Sequence, residues 1–384
     1  MRTGQPILQY VDRPGLLDLG WGHPHPSLLP ADAWAAATAS ALDTYGWQAL
    51  AYGYERGPGP LREWIAGHLA ATDGGGEPDE IFVTAGASHA LTLVCATLAR
   101  PGDVVVVDSP TYHLAFGILR DQGVELVAAP IDGGGLDPRA LDEQVAALRR
   151  QGRRVPLLYI VPTFGNPTGQ SLRDDRRREL VAVAQHAELT IVEDDTYRDM
   201  VYDGVAPPSL WRLSDGQAVV RIGSFAKTVA PGVRLGWIQA GPDLIGRLAR
   251  LGYVYSGGGV NHTSALAMAA FGASGAYREH LAIVRREYAG RRDALVAALR
   301  RSRVHLDVPS PAGGWFVWLP LPAGRSAADV LATAERHGVS FTPGSTFHVD
   351  AAEDDHIRLS FSMLEPAELE EAARRLGVAL AETP

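Results

Sequence analysis

At 384 residues the chain is longer than one hydrophobic core usually organises, so two lobes are expected. Hydrophobic residues at 46% and charged residues at 21% are the proportions of a globular protein in water, and a formal net charge of −9 without a basic run argues against nucleic acid or an anionic membrane surface as partner. A single cysteine, Cys95, excludes a disulfide within the chain, and with no bilayer-length apolar stretch and no charged start followed by an apolar run, a cytoplasmic location is the expectation.

The N-terminal part reads as an extended arm. Gly20-Trp21-Gly22-His23-Pro24-His25-Pro26 holds too many glycines and prolines for a helix or an inner strand. His23 and His25 read as loop residues, since no further ligand stands at a metal-binding spacing. An Ala-rich helix is predicted over 31–42, begun by Pro30. Residues 45–60 mix tyrosines with glycines, as contact surfaces do, and 61–69 is amphipathic. Short apolar runs then alternate with helical patterns. Strands are predicted at 81–84, 104–107, 125–128, 157–161, 190–192, 219–222 and 235–240, and helices at 89–98, 141–149 and 174–186, with a shorter one ending at Leu119. This rhythm implies a parallel or mixed sheet covered by helices on both faces, with ligands beyond the carboxyl ends of its strands. Past about residue 262 a long arginine-rich helix over 277–299 is followed by strands at 356–361 and in the 313–319 and 339–344 runs. Helices at 327–337 and 365–381 complete a smaller α+β lobe.

The chemistry centres on VRIGSFAKTVAPGVRLGWI, from Val220 to Ile238. Lys227 stands between two apolar runs, where an ammonium is costly, so its neutral amine is a candidate for Schiff-base chemistry with a carbonyl. Ser224 and Arg234 flank it as an anion clamp, and Gly86-Ala87-Ser88, between a strand and a helix, offers backbone N–H groups to the same anion. Amine plus phosphate cup is what pyridoxal phosphate requires. Asp194 suits a protonated pyridine nitrogen; Asn166 and Tyr197 suit a phenolate oxygen, and Tyr112 can stack on a ring. The Glu193-Asp194-Asp195 run can also be read as a metal site, although no histidine stands near it. Arg358, inside an apolar strand, needs either a substrate carboxylate or an internal partner.

On these motifs the chain resembles the fold-type I pyridoxal-phosphate aminotransferases of class I/II, in the branch of 2-aminoadipate aminotransferases and MocR-type effector domains. The pieces are YGYERGPGPLRE, VTAGASHAL, DSPTYH, PTFGNPTG, VEDDTYRDMVYDG, GSFAKTVAPGVRLGW, PAGGWFVWL and IRLSFS, in family order. The resemblance implies a large domain with a mixed, mostly parallel seven-stranded sheet over 38–270, a small domain over 271–384 and an arm over 1–37 that joins the small domain. Lys227 then matches the cofactor lysine and proton shuttle, Asp194 the pyridine partner, and Tyr197 and Asn166 the phenolate partners. Tyr112 matches the stacking ring, and Gly86, Ala87, Ser88, Ser224 and Arg234 the phosphate cup. Tyr52 matches a tyrosine that reaches the phosphate of the other subunit, which implies a homodimer with shared sites. Arg358 matches the α-carboxylate arginine, aided by Asn166, and Gly22 the arm that covers the substrate.

Three departures bear on the substrate: Gly165 where the branch has Gln, a short arm without a leading helix, and the glycine-rich run 255–262. Trp21, His23, Tyr255 and His262 are candidates for its side-chain contacts. The reaction implied is transamination of an amino acid, with elimination, replacement, oxidative decarboxylation or carbon–carbon bond formation as outcomes of the same scaffold, some of them in specialised metabolism. Two other classes are weaker. Ser224-Phe225-Ala226-Lys227 fits Ser-x-x-Lys, but the companion motifs of acyl-transfer enzymes are missing. A ligand-sensing regulator would need a DNA-binding region ahead of the arm.

Overall fold

The computed structural model describes residues 8–9, 13–302, 306–350 and 354–383. Strand β1 (Leu17–Asp18) and helices α1 (Ala31–Tyr45) and α2 (Gly59–Asp73) come first. Next are β2 (Ile81–Thr84), α3 (Ala87–Leu98), β3 (Val104–Val107), α4 (Leu114–Arg120), β4 (Glu125–Ala128), the hairpin β5 (Ile131–Asp132) and β6 (Gly135–Leu136), and α5 (Pro138–Arg150). They are followed by β7 (Leu157–Ile160), α6 (Asp174–His186), β8 (Thr190–Asp194), α7 (Leu210–Leu213), β9 (Val219–Ser224), β10 (Gly236–Gln239) and α8 (Pro242–Ala249). The remainder is α9 (His262–Ala273), α10 (Ala276–Arg300), β11 (Phe316–Pro320), α11 (Ala327–Arg336), β12 (Val339–Ser340), β13 (Thr342–Pro343), β14 (His356–Ser360) and α12 (Pro366–Glu382).

Seven strands form the main sheet in the order β2-β10-β9-β8-β7-β3-β4, and only β10 runs against its neighbours. The valine run of β3 shows why these strands are apolar throughout. Val105 and Val107 enter the core on one face of the sheet while Val104 and Val106 enter the core on the other. A second sheet, β11-β14-β13, is antiparallel and shares a core with α10, α11 and α12. The arm belongs to this part of the molecule: β1 pairs in parallel with β12, and Leu19 bonds through its backbone to Ser340 and Ser360.

The fold-type I sheet is as expected, with corrections at its margins. Strand β8 runs on to Asp194 and β9 to Ser224, so Glu193 and Asp194 lie within a strand rather than past it. Their carboxylates are bonded, which removes the reason to end the strand there. Helix α9 escapes the sequence reading because nearly every face of it is apolar and no amphipathic period shows. The 339–344 run divides into β12, β13 and a short 3-10 turn. The expected lack of a leading helix concerns residues before Gly22, and 1–7 and 10–12 lie outside the described residues.

Beneath the carboxyl edge of the sheet lies a buried ionic lattice. Arg221 of β9 donates to Asp195 Oδ2 at 2.8 Å and to Asp73 Oδ2 at 3.1 Å, and Arg198 pairs with the same two carboxylates. The lattice fixes the end of α2 to β9 and to the turn after β8. We expect Arg221→Met, which leaves both acids short of a cation, to destabilise the fold by ~3–5 kcal/mol. A urea-unfolding midpoint measures this; a loss below ~1 kcal/mol would mean that Arg198 alone neutralises both acids.

Candidate active site

The register of the sheet sets the site. Gly236, at the start of β10, lies opposite Ser224 at the end of β9 and Thr84 at the end of β2. A Cβ on Gly236 would come within 2.9 Å of the Gly86 backbone and 2.6 Å of Gly223 O, so only glycine lets the three segments meet. Gly86 itself has φ +95°, and a Cβ there would stand 2.8 Å from Arg234 Nη2. Helix α3 then begins at Ala87 and Ser88 without a capping side chain and without an acid in its first turn. Its free N–H groups and the exposed guanidinium of Arg234, held by Ala85 O at 2.9 Å, open to solvent together. Ser224 Oγ accepts from Ala226 N on the adjoining turn. This is a cup for a doubly charged oxyanion.

Lys227 is the only lysine in the sequence. Its Nζ donates to Gly22 O at 3.0 Å, lies 4.8 Å from the centre of the Trp315 ring and 5.9 Å from that of Tyr197. Loss of water around it, and then the charge of Arg358, lower its pKa to about 8, against a smaller opposing pull from Asp194. An amine in this state is nucleophilic near neutral pH.

Asp194 is buried. Tyr159 donates to its Oδ2 at 2.8 Å, and Thr196 donates to its Oδ1 through the hydroxyl at 2.6 Å and the backbone at 3.2 Å. Burial raises its pKa, while these bonds favour the ionised form. It forms no ion pair among the described residues, so a cation arriving beside it would be well matched. Sequence reasoning missed Tyr159 and Thr196. The one signal for Tyr159 was a lone hydroxyl in an otherwise aliphatic strand. The neighbouring acids do other work: Glu193 accepts from the N–H groups of Leu210 and Trp211, and Asp195 belongs to the ionic lattice.

Arg358 is buried on β14, and its partners are all neutral. Nη1 donates to Asn166 Oδ1 at 2.9 Å, and Nη2 to Gly20 O and, at 3.2 Å, to Thr342 Oγ1. Phe316 and Phe347 lie 4.4 and 4.7 Å from its carbon, and burial lowers its pKa to about 10. Nε has no partner. A guanidinium kept dry with a donor unused is prepared for a carboxylate. Gly20, Thr342, Phe316 and Phe347 were not foreseen as its neighbours; they come from three distant segments with no shared pattern.

The structure thus gathers Gly86, Ala87, Ser88, Ser224, Lys227 and Arg234 along one sheet edge, and ties Asn166 and Gly22 to Arg358 and Lys227. Tyr112 is partly buried and within electrostatic reach of both Asp194 and Arg358. Tyr197 is buried against Trp315 and Phe316. Gly22 has no room for a side chain, since a Cβ would meet Phe316 at 2.9 Å. Tyr52 stands apart: it is 89% exposed and its ring lies against Gly257. Tyr255 is exposed, and His262 opens α9, crowded against Gly53. His25 accepts from Ser27 N and pairs with Glu365 at 3.2 Å.

The residues fit pyridoxal phosphate: an anion cup with a cation, an activated amine, a buried carboxylate in want of a cation, and Asn166 and Tyr197 each within reach of Arg358. Comparison with known proteins agrees. The chain is 32% identical to a 2-aminoadipate transaminase of Thermus thermophilus, over 98% of this chain and 93% of that one. It is 30% identical to aromatic-amino-acid aminotransferase 1 of Thermococcus litoralis, over 98% and 90%. A solved Pyrococcus horikoshii kynurenine aminotransferase, in complex with PMP, superposes with a TM-score of 0.88 at 29% identity, covering 96% of this chain and 91% of that one. With residues 17–376 matched by the family model for aminotransferase class I and II, the chain belongs to that family.

Proposed function

We propose that this pyridoxal-phosphate-dependent aminotransferase works as a homodimer in the cytoplasm, in amino-acid metabolism, with Lys227, Asp194 and Arg358 as the core of its site. The observation that carries the reading is Lys227, a lysine half-buried among aromatic rings with its pKa lowered to about 8, between the cup and Arg358. When bound, the cofactor supplies an aldehyde carbon that condenses with amines and a ring that takes up electrons from the α-carbon.

The chain's residues divide the remaining work. Arg358, gripped by Asn166, takes the substrate α-carboxylate, and Gly22 closes over it. Lys227 Nζ removes the proton from the α-carbon and later returns one. Asp194, held by Tyr159 and Thr196, would offer its negative charge to the pyridine nitrogen, Asn166 and Tyr197 would serve the phenolate oxygen, and Tyr112 would stack on the ring. Gly86, Ala87, Ser88, Ser224 and Arg234 hold the phosphate, with Tyr52 of the second subunit as a further donor. Support for the dimer is the exposure of Trp47, Leu50, Tyr52, Tyr54, Tyr253 and Tyr255, large apolar side chains from two neighbouring segments. We assign 1–37 to an arm, 38–270 to the cofactor domain and 271–384 to the small domain. No helix among the described residues is long and apolar enough to cross a membrane.

The test is a half-reaction. Purified protein loaded with pyridoxal phosphate, sized in solution as two chains, is given an amino-acid panel without any keto acid. Conversion to the pyridoxamine form with one keto acid released per site is expected. Continuous product formation with no amino acceptor would instead make the enzyme a lyase or an oxidase.

A further inference from the structure

We infer that the substrate is an amino acid with one carboxylate and an uncharged aromatic side chain, and that Trp21 and His23 of the arm select it. This rests on the proposed roles of Arg358 and Lys227 toward the α-carboxylate and the α-carbon. The arm lies across both groups: Gly20 O accepts from Arg358 and Gly22 O from Lys227. Two residues of chain span at most ~7 Å, so the two carbonyls that these cations hold stand about one amino acid apart. A substrate that takes the place of these carbonyls lies along the arm and presents its side chain to the arm's own side chains.

Those side chains are Trp21 and His23, both half-buried and packed edge to face with ring centres 5.2 Å apart. Behind Lys227 the wall is Trp315, with Tyr288 5.2 Å from it and Tyr197 at 5.8 Å. The surroundings are flat, aromatic and uncharged. His23 belongs with them, because burial and the charge of Lys227 push its pKa down and leave the imidazole neutral. It is a hydrogen-bond partner for a ring substituent and not a counter-ion.

The charges around the arm are already committed. Among the described residues, the charges that shift Lys227 are Arg358 and Asp194, and the charge that shifts His23 is Lys227. Arg291, whose charge acts on His25 of the arm, is held by Glu365 at 2.8 Å and Leu364 O at 3.0 Å, and its Nη1, which makes no hydrogen bond among the described residues, lies 3.7 Å from Glu287. Among the described residues a second substrate carboxylate therefore meets no uncommitted cation beside the arm. A cationic side chain meets Lys227 and Arg358, and in the loaded enzyme Asp194 would already be matched by the pyridine nitrogen of the cofactor.

The experiment compares rates of the half-reaction of the loaded enzyme with L-phenylalanine, L-tyrosine, L-tryptophan, L-glutamate, L-2-aminoadipate, L-lysine and L-alanine. The aromatic amino acids should exceed the dicarboxylic ones and lysine by ~10²-fold in kcat/KM. Trp21→Ala should lower the aromatic-to-alanine ratio ~10-fold or more, chiefly through KM, and His23→Phe should lower the tyrosine-to-phenylalanine ratio. A binding readout stands beside the rates. Unreactive 3-phenyllactate should quench the tryptophan fluorescence of the parent protein more than that of Trp21→Phe, and 2-hydroxyglutarate should quench neither. Preference for glutamate or 2-aminoadipate, or ratios untouched by Trp21→Ala, overturns the inference. If borohydride fixes the cofactor to Lys227 yet no aromatic amino acid reacts, this inference alone fails; if it fixes nothing there, the reading beneath it fails as well.

Discussion

Lys227→Ala should leave a folded protein that no longer shows the visible absorption of a lysine-linked cofactor and that turns over substrate at least ~10⁴-fold more slowly. In the proposed mechanism one amine both captures the cofactor and moves the α-proton, so no neighbouring group replaces it. The parent apoenzyme should show the companion effect of pH. Its amine titrates at about 8, so it is protonated and inert below that value and free above it. The rate of cofactor capture should climb about tenfold per pH unit up to pH ~8 and level off beyond, as stopped-flow absorbance would record. A profile still rising at pH ~10 would mean that the aromatic surroundings do not desolvate the ammonium and that Lys227 behaves as an ordinary surface lysine.

Arg358→Leu should raise KM for the amino acid and lower kcat/KM by roughly 10²–10³-fold, while cofactor affinity changes little. The guanidinium touches Asn166, Gly20 and Thr342, not the phosphate cup. Arg358→Lys should recover only part of the loss, because an ammonium cannot offer two parallel donors to a carboxylate or fill the slot between Phe316 and Phe347. Equal affinity for an amino acid and for its amine analogue lacking the carboxylate, in the parent enzyme, would remove Arg358 from this role.

Much of this was legible before the structure, and the reasons are local. Strands β2 and β3 and helix α6 match their predicted limits, because continuous apolar runs buried on both faces and amphipathic periods carry their own boundaries; β4, a partly buried edge strand, matches as well. Lys227 announced itself as a polar residue between apolar runs. What escaped depends on contacts between distant segments. Tyr159 reads as core until β7 is laid beside β8, where its hydroxyl meets Asp194. Phe316 and Phe347 read as core as well, and they are; the surface they pack against happens to be an arginine. The strand ends at Glu193 and Ser224 were cut short because polar residues look like stops when their partners, such as the N–H groups of α7, are not visible in the sequence.

The solitary lysine has a consequence for the life of the protein as a chemical object. Every other basic side chain is an arginine or a histidine, so its surface positive charge is carried without a single ε-amine. Acetylation, carbamylation or glycation of a lysine in this chain can strike only Lys227, the residue to which we assign turnover. On that assignment each such adduct is an inactivated molecule, and bound cofactor is the shield against it. An amine-reactive dye, corrected for the α-amino terminus, therefore counts empty sites directly.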